Sequence, residues 1–504
     1  MTVVHGAAGG PAGPRRSLLL AGGGMRVAYQ AGVIRALFEE GLTFAHADGT
    51  SGGIMNLGML LSGLSPDEIC ERWRTLDVKG FSSLLLLKEY LKLPSAMAMA
   101  DADGIRGKVF PHLGIDPDRI RAAEGIQGTF NVCNYTTKVN EAIPHQQIDE
   151  DYLVASITLP VIMPPVVIGG ALYVDSVWIK DTNVYEAVRR GAEEIWLVWC
   201  IGNHAEYRPG ILEQYVHMIE MSANGVLNEE LRWLNEVNER ILAGDPVGGR
   251  EKPIRLHVIR PEFPLPLDPD YFLGRIDGKT LVGMGYRDAK RYLAERVPDG
   301  LPPGPGTTRM KIPPPGIAFR ETMSGPFTLG STDPREAGEG VPLSLHAAIA
   351  IHDLDRFIAD RDHSGSLAGH IEYGPFGGYL PAKAGVFNLF SPAEDSRVKL
   401  MVYGVGFEHD GRDYYLAGRK ELNNDPGFDL WKDTTTLYAT LHEGSSVRGP
   451  VVGAGTLRLD MGQFLKMLPT VRATFAGTAG ERARLVARFG EFFLGSLWKQ
   501  YSPG

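Results

Sequence analysis

One serine lies in a glycine-rich setting, Gly49-Thr50-Ser51-Gly52-Gly53, which fits the pattern G-x-S-x-G. The pentapeptide follows a run that predicts a strand and precedes a run that predicts a helix. A sharp strand-to-helix turn crowds the backbone, and Gly49 and Gly53 would relieve that crowding. The Ser51 hydroxyl would then be exposed at a helix N-terminus, which favours developing negative charge. The pattern predicts a nucleophilic serine, and a glycine-rich turn with Ser51 as a helix N-cap is the alternative.

Three successive glycines, Gly22, Gly23 and Gly24, stand at the preceding junction between a predicted strand and a predicted helix. Such a run lets backbone N–H groups point into a cleft without side chains in the way, as in an oxyanion hole. A phosphate or dinucleotide loop is the alternative, but G-x-G-x-x-G is not matched and the P-loop lysine is missing. Arg26 would stiffen this loop, bind an anionic headgroup or face solvent.

Three sequence blocks follow one another in the first half of the chain. They are LLLAGGGMRVAYQAGVIRALFEEG, GTSGG and ASITLPVIMPPVVIGGALYVDSVWIKDTNVYEAVRRGAEEIWLVWC. In this order they resemble the signature blocks of the patatin-like phospholipases, over roughly residues 15–297. The resemblance implies a Ser-Asp dyad with Ser51 as nucleophile and Asp175 as base, and it assigns the oxyanion loop to Gly22–Gly24. Asp175 ends the run ALYVD, and active sites of parallel sheets gather at such strand ends.

The resemblance implies a serine lipid acyl hydrolase, which cleaves a carboxylic ester of a lipid through an acyl-enzyme. Two departures from the family pattern retain every reacting group. Asp175 is followed by Ser176 and Val177, where the family usually has Gly-Gly or Gly-Ala, and Met25 and Val27 flank Arg26 in place of smaller residues. A catalytically silent lipid-binding or scaffolding protein is the alternative, and so is an acyltransferase that uses the same dyad.

Other candidate groups lie outside these blocks or inside predicted elements. A histidine would complete a triad, but none lies in a recognisable motif and His46 falls inside the second predicted strand, which predicts a bystander role. The segment Ser82–Ala100 is apolar and contains methionine, so it would line an acyl pocket or contact a lipid surface. A plain core helix is the alternative for this segment.

The elements that would position these residues alternate between short apolar runs and amphipathic stretches from Ser17 to about Val297. This βαβα rhythm predicts an α/β domain with a mainly parallel sheet flanked by helices. We expect a flexible leader at 1–16, the hydrolytic domain at 17–297 and a Pro/Gly-rich linker at 298–316. A β-rich accessory domain at 317–504 would follow.

The pattern after the linker changes to strand-like runs separated by Gly, Asp and Asn turns, which predicts an antiparallel, barrel-like meander. The apolar positions of Glu481–Tyr501 recur at helical spacing, so a terminal helix would pack on the sheet or plug a barrel. The blocks HDLDRF, GVFNLF, DLWKDTTTLY and ARFGEFFLGSLW resemble a C-terminal extension of bacterial cholesterol-oxidase-like flavin oxidoreductases. That resemblance implies a module for a bulky lipid or sterol, and a purely structural or oligomer-forming domain is the alternative.

Composition limits the classes of function. The chain is 44% hydrophobic and 22% charged with a formal charge of −9, which fits a globular protein and disfavours nucleic acid as a partner. Its three cysteines, Cys70, Cys133 and Cys200, are too few and too far apart for a disulfide framework or a zinc knuckle. We therefore predict no metal and no cofactor, and a cytoplasmic protein that is at most peripheral at a membrane; the sequence does not predict an oligomeric state.

Overall fold

The computed structural model describes residues 13–76, 104–203, 211–265, 277–336, 338–393, 395, 398–423 and 430–501. The described residues up to Lys311 form one compact unit, and those from Ile312 onward form a second. Most of the predicted leader, residues 1–12, and the whole of the apolar segment Ser82–Ala100 lie outside the described residues. No described helix is long and apolar enough to cross a bilayer.

The first unit is built on one sheet with helices packed against it. Its strands are β1 (Arg16–Leu20), β2 (His46–Thr50), β3 (Gln127–Asn134), β4 (Val139–Pro144), β5 (Val166–Ile168), β6 (Ala171–Asp175), β7 (Glu194–Val198) and β8 (Arg255–Ile259). Its helices are α1 (Ala28–Glu39), α2 (Gly53–Leu61), α3 (Pro66–Thr75), α4 (Phe110–Leu113), α5 (Pro117–Arg121), α6 (Glu150–Ala155), α7 (Val184–Arg189), α8 (Ile211–Leu242) and α9 (Gly278–Glu295).

The sheet has the strand order β5-β6-β3-β2-β1-β7-β8, with β4 on β3. The five strands from β3 to β8 in this order pair in parallel. The pairings that involve β4, β5 and β6 are antiparallel. The predicted α/β fold is confirmed, and the sheet is mixed because its far edge is closed by hairpins rather than by helical crossovers.

Strand β3 brings two distant parts of the chain together. Its first half pairs with β2 as far as Asn131 opposite Thr50, and the next residue, Val132, pairs with Asp175 of β6. Strand β4 occupies the other edge of β3 over these residues, so β6 continues along the edge that β2 leaves. Asp175 therefore follows directly where β2 ends.

Helices α1 and α9 approach closely because glycine stands at both contact points. A Cβ at Gly32 would overlap the backbone of Val282, and a Cβ at Gly285 would overlap the carbonyl of Tyr29. Helix α1 begins four residues after Gly24. The two glycines thus hold the helix that follows the glycine loop against α9.

The second unit is an antiparallel barrel. Its strands are β9 (Gly316–Leu329), β10 (Val341–Ile351), β11 (Ser364–Tyr373), β12 (Gly378–Pro381), β13 (Ala384–Pro392), β14 (Val398–His409), β15 (Arg412–Asn423), β16 (Thr436–Glu443), β17 (Val451–Arg458) and β18 (Arg472–Thr474). Its helices are α10 (Leu354–Ala359), α11 (Leu430–Thr435), α12 (Met461–Met467) and α13 (Ala479–Tyr501).

Eight of these strands close on themselves in the order β10-β11-β13-β14-β15-β16-β17-β9, because β9 pairs with both β17 and β10. The predicted barrel-like domain is confirmed. The predicted terminal helix is α13, and its aromatic side chains pack on the apolar core of the barrel. Phe489 lies 6.0 Å from Phe319, and Phe493 lies 5.4 Å from Phe390, between ring centroids.

Candidate active site

Ser51 occupies the turn between β2 and α2, and its backbone is strained. Its φ of 51° lies in the left-handed region, which is costly for a residue with a Cβ. A strained turn after a strand and before a helix is also the backbone geometry that a nucleophile elbow requires. The side chain is buried, with 6% of the residue exposed. Our expectation of an exposed serine was therefore wrong for this conformation.

The glycines around Ser51 allow close backbone approaches. A Cβ at Gly53 would overlap the carbonyl oxygen of Leu20 at the end of β1. A Cβ at Gly52 would lie 2.6 Å from the carbonyl oxygen of Gly24, and one at Gly49 would lie 3.2 Å from Cα of Ile54. The absence of a Cβ at these positions therefore lets the backbone of the serine turn pack directly against β1 and the glycine loop.

Asp175, at the end of β6, is completely buried. Its Oδ1 accepts a hydrogen bond of 2.9 Å from the N–H of Val177. Burial raises the pKa of Asp175 to about 7, against a smaller lowering by the Ser51 hydroxyl and the Val177 N–H. Its Oδ2 is buried and has no well-formed hydrogen bond to any described residue. The Ser51 hydroxyl thus lies near enough to lower the pKa of this carboxyl.

The glycine loop lies beside Ser51. A Cβ at Gly22 would be 2.9 Å from Cβ of Ser51, and Gly23 and Gly24 have φ values of 154° and 57°. The N–H of Gly22 donates a 3.2 Å hydrogen bond to Oδ1 of Asp181. The N–H groups of Gly23 and Gly24 donate to none of the residues that the structure describes. Of the three predicted oxyanion donors, the N–H of Gly22 is therefore already bonded to the Asp181 side chain, whereas the N–H groups of Gly23 and Gly24 are not bonded to a described residue.

Arg26 supports this loop from inside. Its Nε donates a 2.9 Å hydrogen bond to the carbonyl oxygen of Gly23, and the residue is buried. The solvent-facing alternative for Arg26 is therefore wrong. Its Nη1 is buried without a hydrogen-bond partner among the described residues.

Asp181 is the residue of this site that the sequence did not single out. It is buried, and burial raises its pKa well above the ordinary value, assisted by the charge of Asp175. The N–H of Gly22 and the charge of Arg26 act in the opposite direction. Its Oδ2, like that of Asp175, has no hydrogen-bond partner in the described part of the chain. The only signal in the sequence was its position six residues after Asp175.

A buried polar chain anchors the strand end before the glycine loop. Nε2 of Gln30 donates 2.6 Å to the carbonyl oxygen of Ala21, and Nδ2 of Asn56 donates 3.0 Å to Oε1 of Gln30. Nε1 of Trp73 in turn donates 2.8 Å to Oδ1 of Asn56. Helices α1, α2 and α3 therefore each contribute one side chain to the position of this loop.

His46 belongs to a different part of the sheet. Its ring nitrogens lie 3.1 Å from Oγ of Ser17 and 2.9 Å from Oγ1 of Thr129. It precedes Ser51 by five residues along an extended strand, a separation of about 16 Å. Burial lowers its pKa to about 3, which keeps the ring neutral. These contacts agree with the bystander role.

Comparison with known proteins gives a match for this unit. Residues 18–188 match the family model of patatin-like phospholipases, a range that contains Ser51, Asp175 and the glycine loop. No curated protein matches the chain. The solved structure of VipD from Legionella pneumophila is similar at 13% sequence identity and a TM-score of 0.30, over 56% of this chain and 67% of that one.

Proposed function

We propose that this protein is a serine lipid acyl hydrolase that cleaves a carboxylic ester of a lipid through Ser51 and Asp175. The observation that carries the proposal is their juxtaposition. Asp175 pairs with β3 one position beyond the end of β2, and Ser51 follows that end in a strained turn. The family match over residues 18–188 supports a lipid as the substrate.

The proposed reaction has two steps. Oδ2 of Asp175 accepts the hydroxyl proton while Oγ of Ser51 attacks the ester carbonyl carbon, and the carbonyl electron pair moves to the oxygen. The N–H groups of Gly23 and Gly24 stabilise this oxyanion. When the tetrahedral intermediate collapses, the ester C–O bond breaks and Asp175 returns the proton to the leaving alcohol. Water then attacks the acyl-serine in the same way and releases the fatty acid.

The burial of Asp175 is what makes a carboxylate strong enough for this role. An exposed aspartate with a pKa near 4 is a weak base for a serine hydroxyl. A pKa of about 7 reduces the difference between the pKa of the base and that of the hydroxyl. The same dry surroundings suit an apolar acyl chain. A second buried carboxyl, Asp181, lies close enough that the charge of Asp175 raises its pKa.

Two observations favour the silent lipid-binding or scaffolding alternative. Ser51 is buried, and the Gly22 N–H is occupied by Asp181. A fluorophosphonate probe separates the alternatives, because Ser51 must attack its phosphorus and displace fluoride. We expect labelling of the full-length chain at Ser51 and none in Ser51→Ala. A folded wild-type chain that stays unlabelled would instead identify a binding protein.

An acyltransferase would share the acyl-enzyme and differ only in the acceptor. An acyl-enzyme formed from an ester with a labelled acyl chain is incubated with water alone and with an added lipid alcohol. The labelled product distinguishes a hydrolase from an acyltransferase. We expect free fatty acid to remain the main product when the alcohol is present. A new ester as the main product would assign transfer.

The second unit has a supporting role in this proposal. Every proposed reacting group precedes Ile312, and the cholesterol-oxidase-like resemblance of the barrel stays a prediction. We propose that the barrel contributes affinity for large apolar substrates. Location in the cytoplasm with peripheral membrane contact also stays a prediction.

A further inference from the structure

A cluster of three side chains with metal-binding donors lies on the barrel, in the second unit. His346 of β10 is paired directly with His370 of β11, and Glu372 lies two residues further along β11. Their neighbours Leu345 and Ile371 belong to the barrel core. Because side chains alternate along a strand, the side chains of His346, His370 and Glu372 point to the outer face.

The donor atoms of these residues converge. Nε2 of His370 lies 3.3 Å from Oε1 of Glu372, and Nε2 of His346 lies 3.5 Å from Oε2 of the same carboxylate. Two ligands bound about 2.1 Å from one tetrahedral ion are about 3.4 Å apart, so these two separations already suit a shared Zn²⁺. One donor atom from each of the three residues lies within 4.8 Å of the others.

Both rings have close aromatic neighbours. The imidazoles of His346 and His370 stack with centroids 4.3 Å apart and planes at 10°, and the ring of Tyr379 lies 4.6 Å from that of His370. An ion bound by both Nε2 lone pairs lies near the plane of each ring, so binding requires the partly exposed His346 ring to tilt out of this stack. Nδ1 of His346 is 3.1 Å from Oγ1 of Thr322 on β9. When Nδ1 donates its proton to this hydroxyl, the lone pair of Nε2 is directed to the metal, which is the usual outer-shell arrangement for a histidine ligand.

We propose that His346, His370 and Glu372 form a divalent transition-metal site, with Zn²⁺ as the ion that the two imidazoles and one carboxylate fit. Three protein ligands leave one coordination position for water or another ligand. The site joins β10 to β11 on the barrel and involves none of the groups assigned to ester hydrolysis. It is therefore independent of the proposed function.

The test uses the full-length chain, freed of metal with a chelator and then titrated with Zn²⁺ by calorimetry. We expect wild type to bind one Zn²⁺ per chain, and we expect His346→Asn and Glu372→Gln to lose this binding. These two positions are chosen because their side chains are partly exposed and can be replaced without disturbing the core. His352→Asn is the matched control, because His352 is a barrel histidine outside the cluster, 3.1 Å from Oγ of Ser366. It should bind as wild type does.

Two further measurements make the proposal specific. At a free Zn²⁺ concentration of about 100 times Kd, Tm of the barrel transition should rise by about 5–10 °C in wild type and in His352→Asn only. Thr322→Val should weaken binding by about tenfold while Thr322→Ser retains it, because the hydroxyl orients His346. Absence of stoichiometric binding in wild type, or binding that both ligand variants retain, would overturn the proposal and leave a hydrogen-bonded His-Glu group.

Discussion

Ser51 combines a reactive hydroxyl with an unfavourable backbone conformation, and the two properties can be separated by substitution. We expect Ser51→Ala and Ser51→Gly both to reduce hydrolysis of p-nitrophenyl acyl esters by at least about 10³-fold, because each removes the attacking oxygen. Glycine also relieves the strain of a φ of 51°, so the free energy of unfolding of Ser51→Gly should exceed that of Ser51→Ala by about 1 kcal/mol. Turnover of either variant within tenfold of wild type would disprove the assignment.

Asp175→Asn should be nearly as damaging as the loss of Ser51, because the amide keeps the shape of the side chain but cannot accept a proton. The double variant Ser51→Ala/Asp175→Asn should be little worse than either single one, since the two residues act in one step. His46→Gln serves as the control and should retain turnover. Losses that multiply, or an equally severe loss in His46→Gln, would rule out a dyad.

The raised pKa of Asp175 has opposite consequences for activity and for stability. Hydrolysis needs the carboxylate, so kcat/KM should fall about tenfold per pH unit below a midpoint near 7. The folded state binds this proton more tightly than the unfolded state does, so it loses stability as pH rises from about 4 to about 7, by on the order of 4 kcal/mol. Asp175→Asn should thus be more stable than wild type at pH 8 and similar to it at pH 4; denaturant titrations at both values check this.

Local sequence predicted the parts of the site that depend on short spacing. The turn at Ser51, the glycine loop and the end of β6 each lie within one strand and its neighbouring turn. Asp181 was missed because its bond to the Gly22 N–H joins residues 159 positions apart, and no periodicity reports such a contact. The proximity of His346 and His370 depends likewise on strand register, which is why no metal was predicted.

The contact between α1 and α9 holds the helix behind the glycine loop and can be tested by adding one methyl group. Gly285→Ala should lower the free energy of unfolding by about 1–3 kcal/mol, because its Cβ would overlap the Tyr29 carbonyl and push the helices apart. Gly225→Ala in α8 is the matched control, since nothing described lies within 4 Å of its Cβ position. That substitution should stabilise by about 0.5–1 kcal/mol; equal effects of the two changes would contradict the close approach.

Strand runs in the second half of the chain were predicted for β10, β14, β15, β16 and β17, whereas β9, β11 and β13 were not singled out. Gly316–Leu329 contains Gly325 and Pro326, which weaken a strand pattern. In the structure β9 pairs with β10 on one side and with β17 on the other, and so completes the barrel. Alternating apolar residues indicated the strands, but closure depends on this long-range pairing.

The proline-rich segment at 298–316, predicted as a linker, contributes to the first unit over much of its length. Leu301 forms an isolated antiparallel β-bridge with Leu256 of β8. The backbone of buried Met310 forms two hydrogen bonds with the side chain of Asn203. A chain that ends at Lys311 should therefore have a higher Tm than one that ends at Pro302, since the shorter chain loses the core side chain of Met310, worth about 2–3 kcal/mol. Circular dichroism melting of the two fragments checks this.

The longer fragment, residues 1–311, also tests the role of the barrel. It should hydrolyse short soluble esters at the wild-type rate and lose efficiency on long-chain or steryl esters, because remote binding energy matters only for substrates large enough to reach it. A folded fragment that is inactive on short esters would show that the second unit completes the active site. Unchanged efficiency on every ester would assign the barrel another role.

Closure of the barrel has a consequence for self-association. An open antiparallel sheet presents unpaired N–H and C=O groups at its edge strands, and these can recruit another chain by strand addition. In the barrel each of the eight strands has a hydrogen-bonded neighbour on both sides. The eight barrel strands are thereby protected against edge-to-edge aggregation. Among the described residues, strand addition is left to the short strands β12 and β18, each of which pairs with one neighbour.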